Sequence, residues 1–149
     1  MPIQAFDLTK RPPRSPRVRL GGYAILPRML DKGRATIAGQ HGEFHYDCPL
    51  DAHFLSFVGI DAKALKAQLA KGKGDGQILD WINANAKFKR SAVEIAAWSA
   101  YQDSRVPSDL ESRTFFNEYH KKLAPNRNDV SSWFDVLDID DHISFGGQA

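Results

Sequence analysis

Two stretches of the sequence decide the fold and hold the candidate functional residues. Asp7–Ala35 reads D-L-T-K-R-P-P-R-S-P-R-V-R-L-G-G-Y-A-I-L-P-R-M-L-D-K-G-R-A, and Cys48–Asp61 reads C-P-L-D-A-H-F-L-S-F-V-G-I-D. The first stretch begins as a basic segment rich in proline and continues as a helical pattern. In the second stretch Pro49 suits the first position of a helix, and Cys48 precedes it as the cap residue. We expect the remaining elements to be organised around these two stretches.

The first stretch predicts an arm followed by a helix. Residues 1–20 contain Pro2, Pro12, Pro13 and Pro16, and each proline fixes its own φ and removes a backbone donor. We therefore predict an extended basic arm over residues 1–20. Residues 22–38 predict an amphipathic helix with a bend or a late start at Pro27. One face holds Tyr23, Leu26, Leu30 and Ile37, and the opposite face holds Arg28, Asp31, Lys32 and Ala35.

Later segments repeat the helical pattern, each with a capping signal. The predicted helices run from Pro49 to Gly59 and from a cap at Asp61 to Gly72. Three further helices are predicted to start from a cap at Asp75 and from the S-x-x-E boxes at Ser91 and Ser108, and a last short helix is predicted around Trp133–Leu137. At most one short strand is expected, near residues 44–47. We predict an all-α single compact domain, residues 1–149, with six or seven helices and an acidic, loose tail at residues 139–149.

The composition limits the classes of protein to which the chain can belong. With 42% hydrophobic residues, 149 residues suffice for one domain with a sizeable core. No apolar run approaches the roughly 20 residues of a membrane span, and the N-terminus lacks the pattern of a signal peptide. The single cysteine, Cys48, has no partner within the chain, which fits a reducing compartment. We expect a cytoplasmic protein with no membrane segment and no cofactor.

Charge is segregated along the chain. Residues 1–40 carry eight lysines and arginines against two aspartates, whereas residues 128–149 carry five aspartates and no lysine or arginine. One end is therefore able to attract anions, and the other end is able to compete for the same surface.

The spacing of several motifs resembles a known family. D-L-T-K, P-R-S-P, L-G-G-Y, L-P-R-x-L-D-K-x-R-A and C-P-L-D, together with S-W-F-D-V-L-D at Ser132–Asp138, resemble the uncharacterised bacterial family called domain of unknown function 5069. The likeness runs the length of the chain. It implies a mostly helical fold and a bacterial protein, but it implies no activity and no role for any residue.

The charged face of the first helix is the first candidate site. Cations held on a rigid helix bind phosphate or carboxylate, and an aspartate between them orients the guanidinium groups. We predict that these residues, helped by the arm, bind an anionic ligand; the set is Arg14, Arg17, Arg28, Asp31, Lys32 and Arg34. The competing interpretation is that the same charges form i,i+3 pairs on a solvated face or pin the arm to the body.

A cysteine and histidines form the second candidate site. His41, His45, Asp47, Cys48 and His53 lie close together in the sequence, and H-G-E-F-H lacks the spacing of the zinc motif H-E-x-x-H. A cysteine at a helix N-terminus is able to act as a nucleophile, although a lone cysteine is more commonly a small buried hydrophobe. The catalytic candidates are therefore Cys48, His45 and His53, and no metal site is predicted.

These observations leave three classes of function open. The first is a binding module for an anionic small molecule or an acidic protein segment. The alternative is a small enzyme at Cys48, either a thiol nucleophile or a metal-assisted hydrolase. The third is a purely structural or oligomeric protein with no ligand. We do not expect nucleic acid as a partner, because the acidic C-terminus offsets the arm and no nucleic-acid motif is present. The sequence leaves the ligand and the oligomeric state open.

Overall fold

A computed structural model of the chain describes residues 2–149, and these residues form seven α-helices and no strand. The helices are α1 (Leu26–Ile37), α2 (Pro49–Val58), α3 (Ala62–Leu69), α4 (Asp75–Asn85), α5 (Ala92–Ser104), α6 (Leu110–Leu123) and α7 (Trp133–Ser144). The prediction of an all-α domain with six or seven helices is confirmed. Each of these helices is too short or too polar to span a membrane.

The arm ends in a tight turn that is fixed between two helices. Leu20 and Tyr23 exchange backbone hydrogen bonds of 3.1 and 3.0 Å across Gly21 and Gly22, whose φ values of 59° and 84° lie in the left-handed region. A Cβ on Gly21 would lie 2.6 Å from a methyl carbon of Leu79 on α4. Both the backbone conformation and the close approach therefore require glycine at this turn.

A buried serine attaches this turn to α5. The Ser99 hydroxyl accepts a hydrogen bond from the amide of Ala24 at 2.9 Å and donates one to the carbonyl of Gly22 at 2.7 Å. Ser99 is 1% exposed, so water does not replace either bond. This one side chain satisfies two backbone groups on either side of Tyr23.

Helix α1 is buried on nearly every side. It begins late, at Leu26, and Pro27 lies in its first turn, as the sequence predicts. Leu26, Met29 and Leu30 are fully buried in the main core. The opposite, charged face is also buried, because the arm, α2 and α7 cover it.

Two apolar clusters make up the interior. The main cluster surrounds α1 and includes an aromatic group in which Tyr23 meets Phe54 edge-on at 5.2 Å and Phe57 stacks on Trp98 at 4.9 Å. A smaller cluster joins α6 to α7 through Phe116, Val130 and Val136, together with the partly buried side chain of Trp133. The second cluster attaches the acidic C-terminal segment to the body.

Several local predictions are corrected by the structure. Asp109, not Ser108, caps α6, because its carboxylate accepts from the Ser112 amide at 2.7 Å. Gly74 precedes α4, and Asp75 is its first helical residue. Helix α7 continues to Ser144, so residues 139–144 belong to a helix and not to a loose tail.

Replacing Ser99 by Ala is expected to lower the free energy of unfolding by about 1–3 kcal/mol, since two buried backbone groups lose their partner. Ser104→Ala is the matched control on the exposed side of the same helix, and we expect a change within about 0.5 kcal/mol. Urea unfolding measures both. Equal losses for the two variants would contradict the role assigned to Ser99.

Candidate functional site

The charged face of α1 is buried and internally paired. Arg28, Asp31 and Lys32 are each no more than 4% exposed. Burial of an unpaired charge is costly, so each of these groups needs an opposite charge from another part of the chain. The structure supplies those partners from the arm, from α2 and from α7.

The arm is fixed to α1 by Arg14. Its Nε and Nη2 atoms donate to the Asp31 carboxylate at 3.0 and 2.9 Å, and its Nη1 donates to Asp75 at 2.8 Å. Arg34 donates to the second oxygen of Asp75, also at 2.8 Å. Burial raises the pKa of Asp75, but the hydrogen bonds from Arg14 and Arg34 outweigh it and leave the pKa below its usual value. Asp75 thus joins the arm, α1 and α4.

The acidic C-terminal helix is held by the basic arm and by α1. Arg17 pairs with Asp135 and with Asp138, the latter at 3.1 Å. Arg28 forms a bidentate pair with Asp141, with distances of 2.7 and 3.3 Å. The opposite charges at the two ends of the sequence therefore meet in the fold.

All six residues of the predicted anion site thus have partners within the chain. Arg14, Arg17, Arg28, Lys32 and Arg34 each contact an aspartate, and Asp31 accepts from Arg14. The contacts of Arg14 and Arg17 pin the arm to the body, whereas those of Arg28, Lys32 and Arg34 join α1 to α7, α2 and α4. A ligand-binding role for the set stays a prediction, and only Arg28 and Lys32 of this set also reach the pocket described next.

Residues from both candidate sites meet in one pocket of about 680 Å³, which we call the Arg28 pocket. It lies between α1, the segment that precedes α2, and α6 and α7. Its polar lining combines Arg28 and Lys32 with His45 and Cys48, and with Tyr119 and Asp140 on the far side. Two of the three catalytic candidates are therefore brought together, whereas His53 does not line the pocket.

A buried lysine contacts the cysteine. The Lys32 ammonium donates to Asp51 at 2.9 Å and to the Cys48 sulfur at 3.2 Å. Asp51 is fully buried, and burial raises its pKa, although Lys32 and the backbone amide of Asp47 act in the opposite direction. Cys48 is the N-cap residue of α2, as the sequence predicts, but it is only half-buried. The expectation of a small buried hydrophobe therefore fails for this cysteine, because its sulfur faces a cation at the edge of the pocket.

The far side of the pocket is acidic. The Tyr119 hydroxyl donates to Asp140 at 2.5 Å, and burial together with this bond raises the pKa of Tyr119. Burial also raises the pKa of Asp141, against the effect of Arg28. Perturbed titratable groups gathered around one pocket are typical of functional sites.

The remaining residues of the second candidate are dispersed. Asp47 has a left-handed φ of 62°, and its amide donates to Asp51 at 2.9 Å, so it shapes the segment before α2. The Nδ1 atom of His41 is buried without a hydrogen-bond partner, but His41 does not line the pocket. Within residues 2–149, no group of three or more His, Cys, Asp or Glu side chains is arranged to hold a metal ion.

Sequence reasoning missed the far side of this pocket. Tyr119 lies on α6 and belongs to none of the motifs named in the sequence analysis, while Asp140 lies in the segment predicted to be a loose tail. The sequence feature that pointed toward this side of the pocket was the excess of aspartate after residue 128, which matches the excess of cations in the arm.

The paired face predicts a pH signature for Asp75. Because its folded pKa is lowered, Asp75 contributes stability above its unfolded pKa of about 3.8 and loses that contribution as the pH falls through the folded value. Asp75→Asn is therefore expected to lower the free energy of unfolding by roughly 1–3 kcal/mol at pH 7, and the difference from the unmodified chain should narrow below about pH 4.

Urea unfolding between pH 3 and 7 measures this difference. Asp80→Asn is the control, since Asp80 is an exposed aspartate on the same helix without an ion pair in residues 2–149. A difference for Asp75→Asn that stays constant over the whole range would contradict the assignment.

Comparison with protein families identifies the family to which the chain belongs. A search of curated proteins finds no match to the chain. The model of the family described as "Domain of unknown function (DUF5069)" matches residues 10–143, a range that runs from the basic arm to the last turn of α7. The chain therefore belongs to the domain of unknown function 5069 family.

Proposed function

We propose that the protein is a helical binding module and that the Arg28 pocket receives a small organic ligand with an anionic group. The observation that carries this proposal is the presence of unused donors on two buried cations at the pocket. The Nε–H group of Arg28 donates to no atom of residues 2–149, and the Lys32 ammonium has three N–H donors for two acceptors there. An anionic group would satisfy these donors without displacing Asp141 or Asp51.

The two cations are already held in place before a ligand binds. Arg28 is fixed by its bidentate contact with Asp141, and Lys32 is fixed by Asp51. A ligand therefore does not have to immobilise these long side chains, which lowers the entropic cost of binding. A volume of about 680 Å³ falls within the range of small-molecule pockets.

The acidic side of the pocket narrows the ligand class. The Tyr119 hydroxyl, Asp140 and Ser144 provide acceptors opposite Arg28, and Glu43 adds a further carboxylate to the lining. A simple inorganic anion would be repelled there, whereas a hydroxyl or amino group would be accepted. We therefore propose a small hydroxy acid or amino acid as the ligand class, bound in the cytoplasm, where the free thiol of Cys48 remains reduced.

Alkylation of the single cysteine tests the charge of the pocket. Iodoacetate and iodoacetamide both form an S–C bond and release iodide, with the thiol proton going to solvent, but only iodoacetate carries a carboxylate. We expect the ratio of the iodoacetate rate to the iodoacetamide rate to be several-fold higher in the folded chain than in urea, because Arg28 and Lys32 attract the carboxylate. Equal ratios would contradict the proposal.

The ligand class is tested by thermal shift with a panel of hydroxy acids and amino acids. A ligand that raises the melting temperature should lose about tenfold in affinity with Tyr119→Phe, since one hydrogen bond is removed without changing the packing. Tyr101→Phe is the matched control, because Tyr101 is 59% exposed and lies outside the pocket. Equal responses of the two variants, or no stabilising compound, would count against this ligand class.

A second candidate function is nucleophilic chemistry at Cys48, favoured by the Lys32 contact of 3.2 Å. An ammonium group beside the sulfur stabilises a thiolate, the reactive form of cysteine. In this case the folded chain should react with neutral iodoacetamide at pH 7 faster than the unfolded chain does. The double variant Lys32→Met, Asp51→Asn removes both charges together and should abolish the advantage. A folded Cys48 that is inert to iodoacetamide would exclude this function and leave the cysteine with a structural role.

A further inference from the structure

A second pocket, of about 680 Å³, lies between the Leu20–Tyr23 turn, the end of α4 and the start of α5. We call it the Gly-Gly groove, after Gly21 and Gly22. Three cations line it: Arg19 from the arm, and Lys89 and Arg90 from the α4–α5 connection. None of its lining residues is acidic. This distinguishes it from the Arg28 pocket, where carboxylates face the cations.

We propose that the Gly-Gly groove binds the phosphate group of a small organic phosphate. A phosphate carries close to two negative charges at neutral pH and offers several acceptor oxygens, so it favours a site that combines cations with backbone amides. The groove provides both kinds of donor. This proposal is independent of the ligand of the Arg28 pocket.

The backbone donors come from the glycine turn. The amides of Gly21 and Gly22 make no hydrogen bond within residues 2–149, because the turn uses only the amides of Leu20 and Tyr23. Both glycines line the groove. Leu79 and Ile95 lie against the two glycine Cα atoms, and Ser99 holds the Gly22 carbonyl, so the turn is rigid before any ligand binds. Two open amides are thus presented at a fixed position.

The cations of the groove are held in position by contacts within the chain, but their charges are not all neutralised by carboxylates. Lys89 contacts only the Asn83 carbonyl, at 2.6 Å, and has no carboxylate within ion-pair distance in residues 2–149. Arg90 donates to the Phe57 carbonyl at 3.0 and 2.9 Å, and its ion pair with Glu94 is long, at 3.6 Å. Arg19 is neutralised by Asp103 and contributes donors more than net charge. The lysine and Arg90 therefore supply most of the attraction.

The groove is too large for a phosphate ion alone, which indicates an organic part on the ligand. Phe88, 41% exposed, lines the groove beside Ala86 and Ile95. The Arg90 guanidinium lies 5.2 Å from the centre of the Phe88 ring, so a cation and an aromatic surface are available side by side. A planar or apolar group attached to the phosphate would contact this wall.

Titration of the full-length chain with inorganic phosphate and with phenyl phosphate tests the proposal at low salt. We expect both probes to bind and phenyl phosphate to bind more tightly, because only it reaches Phe88. In ¹⁵N-resolved NMR spectra, the amide signals of Gly21 and Gly22 should shift with both probes. Affinity should fall as the salt concentration rises.

The key variant is Lys89→Ala, which removes one cation from the groove and leaves the helices and the glycine turn in place. We expect it to weaken phenyl phosphate binding about tenfold, the size of one charge-assisted hydrogen bond. Lys63→Ala, at an exposed site on α3 outside the groove, changes the net charge equally and should alter the affinity less than twofold. Equal losses in the two variants, unmoved glycine signals, or the absence of binding would each overturn the proposal.

Discussion

The structure depends on the neutralisation of the charged face of α1 by carboxylates and guanidinium groups from distant parts of the chain. Arg28, Asp31 and Lys32 are buried, so none of them is tolerated without its partner. Asp141 lies 113 residues from Arg28, and Arg14 and Asp51 lie 17 and 19 residues from their partners. A hydrophobic face at this position would pack against any apolar surface. The three charge pairs instead determine which segment of the chain covers each turn of α1.

The same pairing engages the arginines of the basic arm within the fold. Its arginines were predicted to attract a ligand, yet Arg14 and Arg17 bind the chain's own aspartates. The opposite charges at the two ends of the sequence pair with each other in the fold. The arm crosses α1, and α7 attaches to both the arm and α1. The separation of charge along the sequence therefore correctly indicated an interaction, and that interaction joins two segments of the same chain.

Local sequence patterns predicted the positions of the helices well, but they did not predict which parts of the chain each helix would contact. Capping signals at Asp61 and Ser91 and the late start at Pro27 depend on neighbouring residues, so they are visible in the sequence. The burial of Arg28 depends on α7, which approaches only in three dimensions, and amphipathic periodicity assigned that face to solvent. Sequence reasoning therefore found half of the Arg28 pocket, the half on α1 and before α2, and missed Tyr119 and Asp140, whose roles arise from the packing of α6 on α7.

The Arg28 pocket and the Gly-Gly groove differ in the groups that line them beside their cations. In the Arg28 pocket, carboxylates pair with the cations of α1, and Tyr119 and Asp140 line the opposite side. In the Gly-Gly groove, between the glycine turn, α4 and α5, no carboxylate lines the pocket, and the cations share the lining with Gly21 and Gly22. The arm contributes to the lining of both sites, since Leu8 and Thr9 line the Arg28 pocket and Arg19 lines the Gly-Gly groove. Arg14 fixes the arm to α1 between these two parts of the arm, so a shift of the arm on α1 would alter the lining of both pockets together.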